Sequence, residues 1–322
     1  MVCGKGYPGS ASIRGIYLIK YIFQKTGFTF LVLLGAATCA FFLVNSIPGD
    51  TATALAGPQA TLEDVDSLRR SLDLDAPLVQ RYFSYMSNLL QGDLGYSYRN
   101  NRPVLEVVMA AWPATFELAM FSMLIAVLLG VPLGIYAAIN RGTIGDTASM
   151  VIAFLGVSMP SFWLGLLLII TFSVKLPWLP FYGRGDFSSL ILPGLTLGLG
   201  VGANIARLTR TSMLEILGQE YIRTALGKGV KRSRVIWVHA LSNAAIPVVT
   251  IIGLQFGVLL GGQVVTEMIF SWPGIGRMII TALATRDLQI IQGGILILSF
   301  TFAIINLITD LIYAFLDPRI RY

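Results

Sequence analysis

The sequence predicts an all-α membrane protein with six transmembrane helices. Three observations carry that prediction. The chain is 55% hydrophobic and only 12% charged, about half the charged share of an ordinary soluble domain. Six charge-free runs are each long enough to cross a hydrocarbon core of ~30 Å as a helix. Lysine and arginine crowd the connections on one side of those runs and are sparse on the other.

In chain order, an irregular Gly/Pro/Ser start precedes Ser12–Lys25, which reads as a short amphipathic helix at the inner membrane surface, so that residues 1–25 form a cytoplasmic N-terminal segment. The first run is Thr26–Pro48. It exceeds the ~7–15 apolar residues of a signal peptide, and Asn45-Ser46-Ile47-Pro48 offers no small-residue cleavage pattern, so it reads as a retained span. With the polar stretch from Gly49 to Pro113 it makes up residues 26–112, a span and a helical extracytoplasmic segment. There, Thr61 followed by Asp64 marks a helix start. Leu78, Tyr82, Met86 and Leu89 recur at near-helical spacing until Gly92 stops them. The pattern predicts a small helical cap whose role is packing.

The remaining runs fall within residues 113–316, the core of the protein, ahead of a cytoplasmic tail at 317–322. They are Leu118–Asn140, Thr147–Val174, Phe187–Ala206, Ala240–Thr266 and Leu288–Thr309. Phe187–Ala206 carries Pro193, Gly194, Gly198, Gly200 and Gly202. Such residues are tolerated in membrane helices packed among neighbours, so it is placed inside the bundle, with a broken or re-entrant segment as the alternative.

Six spans put both termini on one side. That side collects fourteen basic residues against four acids; the other has nine against eleven. The rule of positive charge inside then makes both termini and Glu220–Pro247 cytoplasmic. The formal charge of +6 is this asymmetry and implies no nucleic-acid partner.

Several chemistries lack their parts. The one histidine, His239, cannot build a metal site, which usually needs three or four ligands. Cys3 and Cys39 lie too far apart to pair. No GxxxxGK[ST] phosphate loop is present, and no cofactor is implied. Charges within spans mark ion or proton relays when central, but Glu117, Lys175, Glu267 and Asp310 all stand near run ends. Energy for any transport must come from elsewhere.

One polar segment between runs stands out, Glu220–Pro247, inside a connection spanning 213–243. Tyr221, Thr224, Ala225 and Lys228 share one helical face that is small in its middle, as a docking surface would be. Gly227 and Gly229 end that helix, and Ser233 is placed to cap a second one leading into the fifth run. Anchoring of basic side chains at anionic lipid is the bland alternative.

This segment resembles the EAA loop of permease subunits of bacterial ABC importers, and more narrowly the dipeptide, oligopeptide and nickel branch. The residues that carry the resemblance are Glu220-Tyr221-Ile222-Arg223-Thr224-Ala225, Lys228-Gly229, His239-Ala240-Leu241, Asn243-Ala244 and Pro247-Val248-Val249-Thr250. Arg223 and Thr224 stand where the generic loop has Glu and Ala, a departure that fits the peptide branch rather than the sugar branch. Gly227 replaces a usual alanine. Further matches follow in order: Ile47-Pro48-Gly49-Asp50, Gly92-Asp93-Leu94-Gly95, Arg102-Pro103-Val104, Phe270–Arg277 and Asp317–Tyr322.

The resemblance implies a non-catalytic permease subunit of the bacterial inner membrane. Its partners would be a second, similar permease, two cytoplasmic ATPases gripping the EAA loops, and a periplasmic or lipid-anchored binding protein. The implied coupling residues are Glu220, Tyr221, Thr224, Ala225, Lys228, Gly229, His239 and Asn243. Cargo would be short peptides, glutathione-like peptides included, or metal chelates such as nickel. Polar or kinked positions within the runs, Ser158, Met159, Ser161, Gln255 and Asn306, are candidates for the pathway or for interhelical hydrogen bonds. A secondary transporter and a membrane scaffold are the readings from other classes.

Overall fold

The computed structural model describes residues 10–46, 53, 60–71 and 75–316. Cys3, the Ile47–Asp50 turn and the Asp317–Tyr322 tail lie outside them. Helix α1 (Ser10–Ser46) is a single rod, so the surface helix expected at Ser12–Lys25 continues without a break into the first span. Helices α2 (Leu62–Ser71) and α3 (Leu78–Leu90) form the expected cap. α2 begins one residue after Thr61, and α3 stops before Gly92, whose φ is +79°.

The cap is held to α1 by aromatic and polar contacts. Tyr85 stacks on Phe41 with ring centroids 5.4 Å apart, Tyr82 packs against Phe41 and Phe42, and Arg81 donates to Asn45 Oδ1 at 2.7 Å. A minimal hairpin of β1 (Tyr96–Ser97) and β2 (Arg102–Pro103) follows, which the all-α reading did not contain. Its Ser97 hydroxyl donates to the buried Asp287 carboxylate at 2.5 Å.

Helix α4 (Val104–Ile139) starts well before the charge-free run at Leu118 and passes unbroken through residues 112 and 113, where the sequence suggested a boundary between units. Pro113 and Pro132 lie inside it. The third run is not one straight span: α5 (Ile144–Ser158) and α6 (Ser161–Lys175) meet at 99°. Pro160 explains the break, because the residue before proline avoids the α region and Met159 is indeed extended, at φ −78° and ψ 126°. α6 ends in a π-helical turn over Ile170–Lys175.

Helix α7 (Phe187–Leu217) was expected within the bundle, and it is the most buried of the long apolar helices, with 72% of its most apolar stretch enclosed. Its glycines explain why. Gly194, Gly198 and Gly202 recur every four residues along the face that meets α4. A Cβ on Gly198 would stand 2.8 Å from the Ser122 carbonyl oxygen, and one on Gly134 would stand 2.5 Å from that of Ala206. A Cβ on Gly130 would come closer still to the Gly202 carbonyl oxygen, and one on Gly202 would stand 3.1 Å from that of Ala126. The two backbones touch, as small residues allow in membrane helix pairs.

Next come α8 (Glu220–Gly227) and α9 (Arg232–Leu260). α9 ends six residues before the fifth run does, because Gly261 and Gly262, the latter at φ +94°, turn the chain. Val264–Thr266 belong instead to a short helix, α10 (Val264–Ile269), which leads to α11 (Ile275–Thr285). Between them, the Trp272 indole N–H donates to the Ala114 carbonyl at 2.7 Å, and Thr115 donates to Glu267 Oε1 at 2.9 Å. Gly274 and Gly276 leave room for the Glu267 side chain, which is wholly buried. Burial pushes that carboxyl above its ordinary range, against the pull of its donors, Thr115 and the Arg277 and Gly276 amides. The chain closes with α12 (Leu288–Leu316), antiparallel to α1, where Lys25 and Asp310 pair at 2.7 Å.

The described residues thus hold five helices long and apolar enough to cross a membrane, and a sixth crossing if the bent α5–α6 pair counts as one. The end of the bundle that carries α8 is the basic end. The end that carries α3, α10 and α11 is the cap end.

Candidate coupling loop and translocation face

Helix α8 follows an extended Gln219 and carries Glu220 in its first turn, where the N-terminal partial charge favours an acid. Only Ile222 is buried, at 2% exposure. It enters an apolar cluster built from Ile135 and Ala138 of α4, Met213 of α7, and Val235, Ile236 and Ala240 of α9. One side chain therefore links the small helix to three long ones. Glu220, Thr224 and Lys228 are exposed, and Thr224 Oγ1 donates back to the Glu220 carbonyl at 3.0 Å.

The expected coupling residues are largely brought together. Asn243 Nδ2 donates to the His239 carbonyl at 2.8 Å and to the Tyr221 hydroxyl at 3.2 Å. That hydroxyl reaches the same carbonyl at 3.5 Å. His239 takes part through its backbone. The loop and the base of α9 are thereby tied at a second point. Gly229, expected to end the helix, has a positive φ of +79°, and no atom lies within 4 Å of a Cβ built there. Backbone conformation, not space, selects glycine at this position.

Two expectations fail. Ala225 is not on an open docking face. It is half-buried against the cluster around Ile222, because it lies three residues further along the same side of the helix. Ser233 does not cap the next helix. That helix starts at Arg232 after an extended Lys231, without a side-chain cap, so Ser233 already lies in its first turn. α9 then runs as π-helix over Val235–Ala240. This turns Val235, Ile236 and Ala240 inward and leaves Trp237 and Val238 exposed.

The sequence reading missed a clamp beside this loop. Arg210 of α7 donates to Asp146 through Nε at 2.6 Å and through its terminal nitrogen at 2.8 Å. Gly142 N–H adds a third bond at 3.0 Å, and Asp146 is buried. Such bidentate pairs are both strong and directional. The clamp fixes the start of α5 to α7. The sequence signal for it was Thr143 three residues before Asp146, a capping-box spacing with Asp in place of Glu; the Thr143 side chain does accept from the Asp146 amide, at 3.4 Å.

The pathway candidates scatter. Gln255 of α9 lines a cavity of about 320 Å3 with Asn204, Arg207, Leu208 and Thr211 of α7 and with Ile251. Ser158, Met159 and Ser161 lie at the α5–α6 bend. Asn306 of α12 packs on Gly257, where an added Cβ would come within 3.3 Å of its amide oxygen. None of these four lines the Gln255 cavity.

Residues 130–322 match the family described as the inner membrane component of binding-protein-dependent transport systems. Residues 18–119 match the N-terminal region of the membrane component of such systems. The glutathione transport system permease protein GsiC of Escherichia coli strain K12 is 43% identical over 305 residues, which is 95% of this chain and all of that protein. Its counterpart in Shigella flexneri serotype 5b is 42% identical over the same length. Among solved structures, the MetNI methionine ABC transporter in an inward-facing form matches with a TM-score of 0.54. It does so at 16% identity, covering 66% of this chain and 97% of that one, so it speaks for the fold alone. On both the family match and the relatives, the chain belongs to the inner-membrane permease components of binding-protein-dependent transport systems.

Proposed function

We propose that this chain is one of two permeases in an ATP-driven importer of short peptides, with glutathione-like peptides as the leading cargo. The observation that carries this reading is α8. It is an eight-residue helix exposed on one side and seated on three long helices mainly by Ile222, with Ala225 beside it and the Tyr221–Asn243 bond as a second tie, which is the form expected of a lever moved by a separate motor. Full-length similarity to permeases named for glutathione supports the cargo and puts metal chelates second. The surplus of basic residues at the α8 end supports a cytoplasmic position for that end and for both termini.

In the proposed cycle, two cytoplasmic ATPases grip this loop and its counterpart on the second permease. Their closure on ATP displaces α8. Ile222 and the Tyr221–Asn243 bond then pass the displacement to α4, α7 and α9. A binding protein delivers cargo at the cap end. ATP hydrolysis by the partner ATPases supplies the energy, and differential binding of nucleotide to the two states directs it.

The test is ATP-dependent uptake of labelled glutathione into vesicles holding both permeases, with and without the ATPases, in the presence of the binding protein. Uptake only with the ATPases and ATP is expected. Uptake driven by an ion gradient without them would overturn the proposal.

A further inference from the structure

Arg207 and Arg210 stand three residues apart on α7 and have opposite surroundings. Arg210 is neutralised by the Asp146 clamp. Arg207 is exposed, and among the described residues its one side-chain partner is Asn204 Oδ1, at 3.4 Å. A guanidinium has five N–H donors and stays charged, so most of its capacity is unused. Phe187 to Arg207 is about 30 Å of helix at ~1.5 Å per residue, the thickness of a hydrocarbon core. The charge therefore sits where α7 leaves the membrane at the basic end.

The direction it serves follows from its neighbours. Asn204, Arg207 and Thr211 share the face of α7 that is turned away from the α4 seam. With Gln255 of α9 they line the cavity of about 320 Å3. Polar groups in a membrane bundle face water or one another rather than lipid. On its other flank Arg207 borders a groove of about 490 Å3 walled by Met150, Val151, Phe154 and Val157. A lipid phosphate entering there would meet Asp146, whose negative charge Arg210 already engages. The α7–α9 side has no acid among the described residues: beside Leu208 and Ile251 it presents Arg207, the amides of Asn204 and Gln255, and the Thr211 hydroxyl, which donates to the Arg207 carbonyl at 3.1 Å.

We propose that Arg207, with Asn204, Thr211 and Gln255, receives the carboxylate of the peptide cargo as it leaves the translocation path at the basic end. The inference rests on the importer reading and deepens it: the cargo is recognised as an anion by this chain as well as by the binding protein. Arg207 acts as a passing contact, which sets the rate of transit without holding cargo tightly.

The test uses the complete importer in vesicles of phosphatidylethanolamine and phosphatidylglycerol, with glutathione, which bears two carboxylates. Arg207→Gln is expected to lower the maximal uptake rate about tenfold, the loss of one charge-assisted hydrogen bond. KM, set by the binding protein, stays unchanged, as do subunit co-purification and basal ATP hydrolysis. Arg207→Lys is expected to recover at least half the rate. Should Arg207→Gln fail to assemble, Gln255→Leu is expected to lower the maximal rate in the same KM-neutral way, and a wild-type rate there overturns the proposal. A wild-type rate in Arg207→Gln, equal losses in Gln and Lys, or a loss that disappears in vesicles of phosphatidylcholine alone would each overturn it, the last by assigning Arg207 to the anionic headgroup of phosphatidylglycerol. If the wild-type importer takes up no peptide, the importer reading fails and this inference falls with it. If the wild type is active and Arg207→Gln is equally active, only this inference fails.

Discussion

The seam between α4 and α7 and the contact beneath α8 join helices by opposite means. At the seam, the glycine face of α7 brings two backbones together over several turns, and the carbonyls that would meet a Cβ at Gly130, Gly134 and Gly198 cannot swing aside as a side chain could. Beneath α8, Ile222 with the half-buried Ala225 beside it and one small hydrogen-bond group hold a short helix whose outer face is open. The first arrangement keeps two spans in fixed register. In the proposed cycle the second would pass on a local push without requiring the bundle to deform. The proposed importer would need both, and their sensitivities to substitution should differ in kind.

The largest effect is expected at Ile222. Ile222→Ala removes the one buried side chain of α8, a class of change that costs ~2–5 kcal/mol in packed sites. Because the loss is confined to one anchor, hydrogen exchange should speed at amides 220–227 and stay slow along α4 and α7. ATPase co-purification should fall. Equal acceleration in both regions would mean that α8 and the seam form one cooperative unit, and the contrast drawn above would be lost.

The seam is best tested by a reversal of sign. Glycine to alanine inside a helix normally stabilises by ~0.5–1 kcal/mol. At Gly134 the new Cβ would stand 2.5 Å from the Ala206 carbonyl oxygen and 2.6 Å from Thr209 Cβ, and overpacking costs ~1–3 kcal/mol. Gly134→Ala should therefore lower the unfolding temperature of the purified protein. Gly27→Ala in α1, where nothing lies within 4 Å, should not. Similar shifts at both positions would deny the seam its backbone contact.

The contrast between these regions also explains what could be read from the sequence. Composition and run length found the membrane helices, because burial in lipid demands long apolar stretches whatever they pack against. Pro193 and the α7 glycines pointed to the bundle interior, since such residues are tolerated in a membrane helix when neighbours pack against it. A kinked position in the third run was legible from Ser158 to Ser161, but the 99° size of the break at Pro160 was not, because hydropathy carries no direction. Ala225 was misplaced because a helical face does not say which side the bundle occupies; only the burial of Ile222 does. Arg207 and Arg210 look alike as charges. What separates them is Asp146, sixty-four positions away, and pairing over that distance leaves no local trace.

At the loop's end, Gly229 adopts φ +79° with free space around it. A β-branched residue in that region costs roughly 1–2 kcal/mol. Gly229→Val should reduce coupling, seen as ATP hydrolysis that no longer yields uptake, while the chain still inserts. Gly229→Asn, which tolerates a left-handed conformation, should retain most uptake. Loss in both would point to a side chain blocking the ATPase rather than to backbone strain.

The smallest effect is expected at Tyr221, and it separates the two ties that hold α8. Tyr221→Phe keeps the ring and removes the hydroxyl that meets Asn243 at 3.2 Å. Tyr221 is 44% exposed, so water replaces the lost partner and the cost should lie at the low end of ~0.5–1.5 kcal/mol. Asn243 keeps its bond to the His239 carbonyl at 2.8 Å, so the base of α9 stays intact. If Ile222 carries the displacement, Tyr221→Phe should leave uptake within about twofold of wild type, a change of roughly 0.4 kcal/mol at RT ≈ 0.59 kcal/mol. If the Tyr221–Asn243 bond is the principal link to α9, uptake should fall much further with ATPase binding unchanged. In that case Asn243→Ala should reproduce the loss, and adding it to Tyr221→Phe should cost nothing more.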